Sequence, residues 1–307
     1  MSLSIKRGPQ IRSISCVIYG PEGIGKSTLA SQFPDAVFID FERGTDSMDV
    51  ARFDTPKDYS ALIDLLNSIA QEDCCKTIVL DTADKLETMI SEHVCNKHQL
   101  RSIEDAGYGK GYTYLAETWI ELMKVLDKVI DSGKNVVLVA HAAMRKFEQP
   151  DEMGAYDRWE LKLSKKTAPL LKEWSDMLLF CNYKTNVITD EKTKSKKAVG
   201  GKRVMYATHS PVYDAKNRFG LPDQMEMSFD SISSIFKTPE EQKADTVRQI
   251  REEFKEAGIT EKALLDYLKA KGSTGKKLED FELKVLKFVN VNSEKIINKL
   301  QEDKTND

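Results

Sequence analysis

Residues Gly20-Pro21-Glu22-Gly23-Ile24-Gly25-Lys26-Ser27 satisfy the pattern G-x-x-x-x-G-K-[ST] at every position. That spacing serves one chemistry. Glycines let backbone N–H groups turn inward around a phosphate, and the start of the following helix adds its positive end. Lys26 then reaches the β- and γ-phosphates, the Ser27 hydroxyl holds Mg²⁺, and Thr28 continues the cradle. The reading is a nucleoside triphosphate site with Mg²⁺; the loop alone does not separate an ATPase from a kinase or a GTPase. Asp81 closes the apolar run Ile78-Val79-Leu80 and fits the second nucleotide motif, an aspartate that orients the metal. Glu42 follows another apolar strand, where a carboxylate can take a proton from the attacking water; Asp40 is its rival for that role. His141 ends the most apolar stretch, residues 135–141, and is read as a sensor of the γ-phosphate.

These residues need elements to hold them. Residues 13–19 alternate and are β-rich, so they form a strand running into the phosphate loop, with a helix over 27–33 after it. Further strands are expected at 36–41, 77–80 and 135–141. Helices are expected from the Thr55-Pro56 start to about Ala70, from about 82 to Cys95, and from Tyr114 to Ser132. Strands alternating with helices give an α/β fold with a mostly parallel sheet, whose ligands sit at the carboxyl ends of the strands. Gly20, Glu42, Asp81 and His141 all fall at such ends. Residues 176–183 and 203–208 read as an antiparallel hairpin with a Lys-, Gly- and Ser-rich tip. Thr238-Pro239-Glu240-Glu241 starts a helical, charged, nearly neutral region, which sets the expected domains at 1–237 and 238–307.

The order of phosphate loop, strand with Glu, strand with Asp and strand with His, then a long polar loop and a hairpin, resembles the RecA-like ATPase core. The segments 38–42, 107–112 and 215–222 look most similar to phage-encoded ATPases of the single-strand-annealing Sak group. The last segment, Ala215-Lys216-Asn217-Arg218-Phe219-Gly220-Leu221-Pro222, also resembles the K-x-R-x-G segment of replicative helicases. That likeness implies that Lys216 and Arg218 act in a neighbouring subunit's site, and hence that the enzyme works as a ring or filament. The resemblance to the recombinase core also implies single-stranded DNA contact through two loops. One, about 99–112, offers Arg101, Tyr108 and Lys110. The other, about 142–166, offers Arg145, Lys146, Phe147, Arg158, Trp159, Lys162, Lys165 and Lys166. Cations interleaved with aromatics suit single strands, because bases stack on rings while cations track phosphates. A third basic cluster lies at the hairpin tip, Lys192, Lys194, Lys196, Lys197, Lys202 and Arg203.

Composition limits the alternatives. A net charge of −3 gives no global pull toward nucleic acid, so such contact must be local. No apolar run approaches a membrane span and no secretory signal core is present, so a cytoplasmic protein is expected; that it is phage-encoded is what the resemblance implies. Five scattered cysteines and four histidines complete no zinc pattern, and reduced thiols are expected. No N-K-x-D segment marks a GTPase. A helicase or helicase loader, a small-molecule P-loop kinase and a non-hydrolysing scaffold stay open beside the annealing ATPase. The 238–307 region is expected to dock a recombination or single-strand-binding protein.

Overall fold

The computed structural model describes residues 12–148, 154–189, 196–237 and 239–305. Its contacts divide the chain into two compact units, Met1–Ser231 and Ile232–Asp307.

The first unit is built from β1 (Ser15–Gly20), α1 (Lys26–Ala30), β2 (Ala36–Asp40), β3 (Ala51–Arg52), α2 (Tyr59–Gln71), β4 (Thr77–Asp81) and α3 (Ala83–His98). It continues with α4 (Lys110–Asp131), β5 (Asn135–Glu148), β6 (Ala155–Leu161) and α5 (Thr167–Trp174). Strands β7 (Met177–Thr189), β8 (Lys196–Tyr206), β9 (Lys216–Asn217) and β10 (Gln224–Glu226) complete it. The sheet runs β10-β8-β7-β1-β5-β4-β2-β3. From β7 to β3 neighbouring strands are parallel, and β8 and β10 add an antiparallel edge. The strand carrying His141 is therefore inserted between the phosphate-loop strand and the strand carrying Asp81. This is the α/β, RecA-like arrangement expected, with the antiparallel hairpin at its far side.

The central strands are buried on both faces, as parallel strands are when helices cover both sides. Val17 and Tyr19, Ile78 and Leu80, and Val136, Leu138 and Ala140 share one core cluster with Leu62, Leu66, Leu86, Ile90, Trp119 and Leu122. The period of two along each strand puts this set on one face. The alternate residues Cys16, Ile18, Val79, Val137 and Val139 are equally inaccessible on the other.

Three expectations change. The polar loop expected at 142–166 is largely a hairpin: β5 continues past the parallel sheet and pairs antiparallel with β6, from Ala142↔Leu161 to Glu148↔Ala155. Helix α4 begins at Lys110, four residues early, so Gly111 and Tyr112 belong to it. Asp58, whose carboxylate accepts from the Ala61 N–H, caps α2 in place of Thr55.

The second unit holds α6 (Pro239–Glu256), α7 (Glu261–Ala270), α8 (Leu283–Val291) and α9 (Ser293–Thr305). Ile250, Phe254, Leu264, Leu268, Leu278, Leu286 and Val289 form its own core. The cap expected from Thr238 lies outside the described residues. No described helix is long and apolar enough to cross a membrane, and all five cysteines are free thiols.

Candidate nucleotide site

The phosphate loop leaves β1 at Gly20, where a Cβ would overlap the Cys181 carbonyl of neighbouring β7. Gly25 has φ 101°, a conformation that glycine adopts without strain. Lys26, only 6% exposed, turns back and donates to the carbonyls of Gly20 and Pro21 at 3.1 and 2.9 Å. Burial lowers its pKa, so the ammonium is held where a phosphate would compensate it. The loop is poised for an anion.

Ser27 donates from Oγ to Asp81 Oδ2 at 2.5 Å. Burial pushes the Asp81 carboxyl up to about 6 against the lowering effect of that hydrogen bond, and the nearby charges of Asp40 and Glu42 raise it further. A hydroxyl and a carboxylate in contact, surrounded by further acids, are the hard oxygen donors that Mg²⁺ takes. The donor set fits the metal.

The rival acids separate cleanly. Asp40 is 4% exposed and accepts from the Glu42 N–H and from both the N–H and hydroxyl of Thr45. Burial alone would raise its carboxyl, but these bonds outweigh it and hold it below the ordinary range. Asp40 is thus occupied in shaping its own loop. Glu42 is exposed and accepts from Thr82 Oγ1 at 3.0 Å, which leaves a carboxylate facing the cavity.

His141 has a partner that the sequence reading missed. The Asp84 carboxylate accepts from the His141 backbone N–H at 3.1 Å and meets its Nδ1 at 2.9 Å. Burial opposes ionisation of Asp84, yet the bonds from His141 prevail and lower its carboxyl. With Nδ1 committed to Asp84, Nε2 is the ring nitrogen left for a ligand. Asp84 lies three residues past Asp81 inside a helix, where its sequence context reads as an ordinary first-turn acid. One cavity of about 290 Å³ is lined by Gly23, Gly25, Lys26, Ser27, Thr28, Asp40, Glu42, Asp81 and His141. The loop, the ends of β2 and β4 and the point where β5 leaves the parallel sheet therefore converge.

Lys216 and Arg218 are not brought to that cavity. Strand β9 pairs with Met177 and Leu178 at the start of β7, which is the amino end of the sheet. Lys216 donates to the carbonyls of Lys172 and Glu173, and Arg218 pairs with Asp176 at 2.8 Å.

The nucleic-acid candidates also divide. Arg101, Lys110, Lys146 and Lys165 are exposed. Lys166 reaches the other loop, donating to Thr113 Oγ1 at 2.6 Å and to the Gly109 carbonyl at 3.5 Å. Tyr108 is fully exposed. Arg145 pairs with Glu160 and donates to the Leu163 carbonyl, while Phe147 meets Tyr156 in a tilted ring contact. Arg158 is a correction: it is 8% exposed and ion-paired with Asp214, so it is a structural cation inside the hairpin's base. Trp159 likewise packs into the core against Phe180. At the β7–β8 tip, Lys192 and Lys194 lie outside the described residues.

A family of AAA domains matches residues 12–219. That span is about two thirds of the chain and contains every residue of the cavity, so the chain belongs to this AAA-domain family and is a P-loop ATPase. No curated protein matches it. Among solved structures it is similar to a KaiC-like protein of the hyperthermophilic archaeon Pyrococcus horikoshii. The two share 12% identity and a TM-score of 0.38 over 64% of this chain and 79% of that one, a likeness too distant to bear on function.

Proposed function

We propose that this AAA-domain ATPase hydrolyses ATP with Mg²⁺ as an oligomer, and acts on single-stranded DNA in phage-type strand annealing or recombination. One observation carries the reading. Lys26, Ser27, Asp81, Glu42 and His141 surround one cavity, while Lys216 and Arg218 sit at the amino end of the sheet, away from it; in the proposed oligomer they would serve a neighbouring copy.

In this mechanism Lys26 exchanges its loop carbonyls for the β- and γ-phosphates. Ser27 and Asp81 would hold Mg²⁺, which would supply charge neutralisation for the phosphates. Glu42 orients the attacking water and accepts its proton, and Thr82 fixes the carboxylate's direction. His141, set by Asp84, faces the γ-phosphate. A neighbour's Arg218 and Lys216 then stabilise the transferring group, a contribution of about 10³–10⁵ in rate where such fingers operate.

DNA contact is assigned to the exposed set Arg101, Tyr108, Lys110, Lys146, Lys165 and Lys166, with Arg145 and Phe147 on the hairpin strand that presents Lys146. The link from Lys166 to Gly109 and Thr113 supports treating the two loops as one surface. The helical unit is assigned to a protein partner of recombination. Phe288 and Val291, 64% and 83% exposed and three residues apart on α8, are its candidate contacts.

The test is ATP hydrolysis with and without single-stranded DNA between about 50 and 200 mM salt, since phosphate-driven binding weakens steeply over that range. Stimulation that fades with salt supports the proposal. Hydrolysis indifferent to DNA at every salt concentration removes its nucleic-acid half and leaves the ATPase.

A further inference from the structure

The phosphate loop is gripped from outside by the β7–β8 hairpin. Arg203, on β8, donates from Nη1 to the Ile24 carbonyl at 3.3 Å. The same nitrogen lies 2.8 Å from where a Cβ on Gly25 would stand, so the glycine also leaves room for the guanidinium. Arg203 does not line the nucleotide cavity, whereas Gly25 does. Its backbone is fixed on both sides, opposite Tyr183 of β7 and through a bond from the Met227 N–H to its carbonyl.

Peptide planarity turns this contact into a statement about the ligand. In a trans peptide the C=O and the following N–H point in opposite directions. A donor that holds the Ile24 carbonyl outward therefore turns the Gly25 N–H inward, to the side where a phosphate oxygen is bound. Without that donor the peptide is free to rotate about its flanking bonds, and a φ of 101° at Gly25 does little to resist it. Preorganised donors bind better because their ordering does not have to be supplied by the ligand.

We propose that Arg203 is a positioning residue for nucleotide binding: it fixes the Ile24–Gly25 peptide so that the Gly25 N–H is presented to the phosphates. This gives Arg203 a role distinct from DNA contact, where its place in the basic tip cluster would put it. It also makes the antiparallel edge of the sheet part of the nucleotide site.

The experiment measures ADP and ATP affinity, steady-state hydrolysis, single-stranded DNA affinity and ligand-free melting in the full chain and three variants. Arg203→Ala should weaken both nucleotides by about tenfold, the scale of one charge-assisted hydrogen bond, with KM rising more than kcat falls. Arg203→Gln keeps a neutral donor and should recover most of the affinity, while ligand-free melting stays near wild type in all three. Arg203→Lys, with one compact donor on a different stem, should recover less. Two results overturn the proposal. One is unchanged ADP affinity in Arg203→Ala, above all if DNA affinity falls instead. The other is full rescue by Lys with none by Gln, which would mean that charge acts on the phosphate directly. If Arg203→Ala fails to fold, the comparison of Gln with Lys carries the same decision.

Discussion

Asp176 and Asp81 are both buried carboxylates beside a strand of the same sheet, at opposite ends. At the amino end, Asp176 receives the Ser15 N–H and hydroxyl, Arg12 from one side and Arg218 from the other. At the carboxyl end, Asp81 rests against the Ser27 hydroxyl with Asp40 and Glu42 close by, and its carboxyl is pushed up to about 6. At the amino end the Asp176 carboxylate is fully compensated by groups of the same chain. The carboxyl end keeps a carboxylate that the fold alone does not compensate, and that shortfall is what a metal and a triphosphate would make good. Under-compensated groups gathered in a cleft mark function, because stability would have removed them.

The comparison can be broken at four points. The largest effect is expected from Glu42→Gln, which should slow ATP hydrolysis by about 10²–10⁴ while leaving ATP binding in place, as measured by single-turnover kinetics and equilibrium binding. Unchanged hydrolysis would return the base role to another group. Next, Asp176→Ala should destabilise the chain by about 2–4 kcal/mol in urea unfolding, because it strands the buried Ser15 donors. Asp81→Asn should act in the opposite direction, raising stability by about 1–3 kcal/mol in metal-free buffer at pH 7 while hydrolysis is lost.

The pH dependence of that gain follows from the sign of the shift. A carboxyl raised from 3.8 to about 6 holds its proton more tightly in the folded chain than in the unfolded one. Its penalty is therefore absent below about pH 4, grows between about 4 and 6, and is complete above. The advantage of Asp81→Asn should fade in the same order as pH falls, and a pH-independent advantage would contradict the shift. The smallest effect is expected from Arg12→Ala. Arg12 is 53% exposed and Arg218 still pairs with Asp176, so about 0.5 kcal/mol or less should be lost.

The carboxyl end was largely legible in the sequence, because each of its groups ends a local pattern: a glycine-rich motif, or an apolar run followed by one polar residue. The choice between Asp40 and Glu42 was not, since it depends on Thr45 closing onto Asp40. The amino end was illegible for a related reason. Arg12, Asp176 and Arg218 are scattered over about 200 residues and meet only once the sheet is assembled. Arg158 shows the same limit, because its partner Asp214 lies 56 residues away and nothing local distinguishes it from an exposed cation. The β5–β6 hairpin was hidden by its own polarity. Residues 142–148 alternate weakly, and their partner strand, 155–161, carries both acids and bases.

Gly20 opens the nucleotide motif, yet the atom that forbids a side chain there belongs to the protein, the Cys181 carbonyl of the adjacent strand. Two selective pressures therefore sit in one eight-residue signature, one from ligand recognition and one from strand spacing. A mutational scan would record Gly20 and Gly25 as equally intolerant and credit both to the nucleotide. For Gly20 that credit would be misplaced: its variants would fail during assembly of the sheet, before any ligand was encountered.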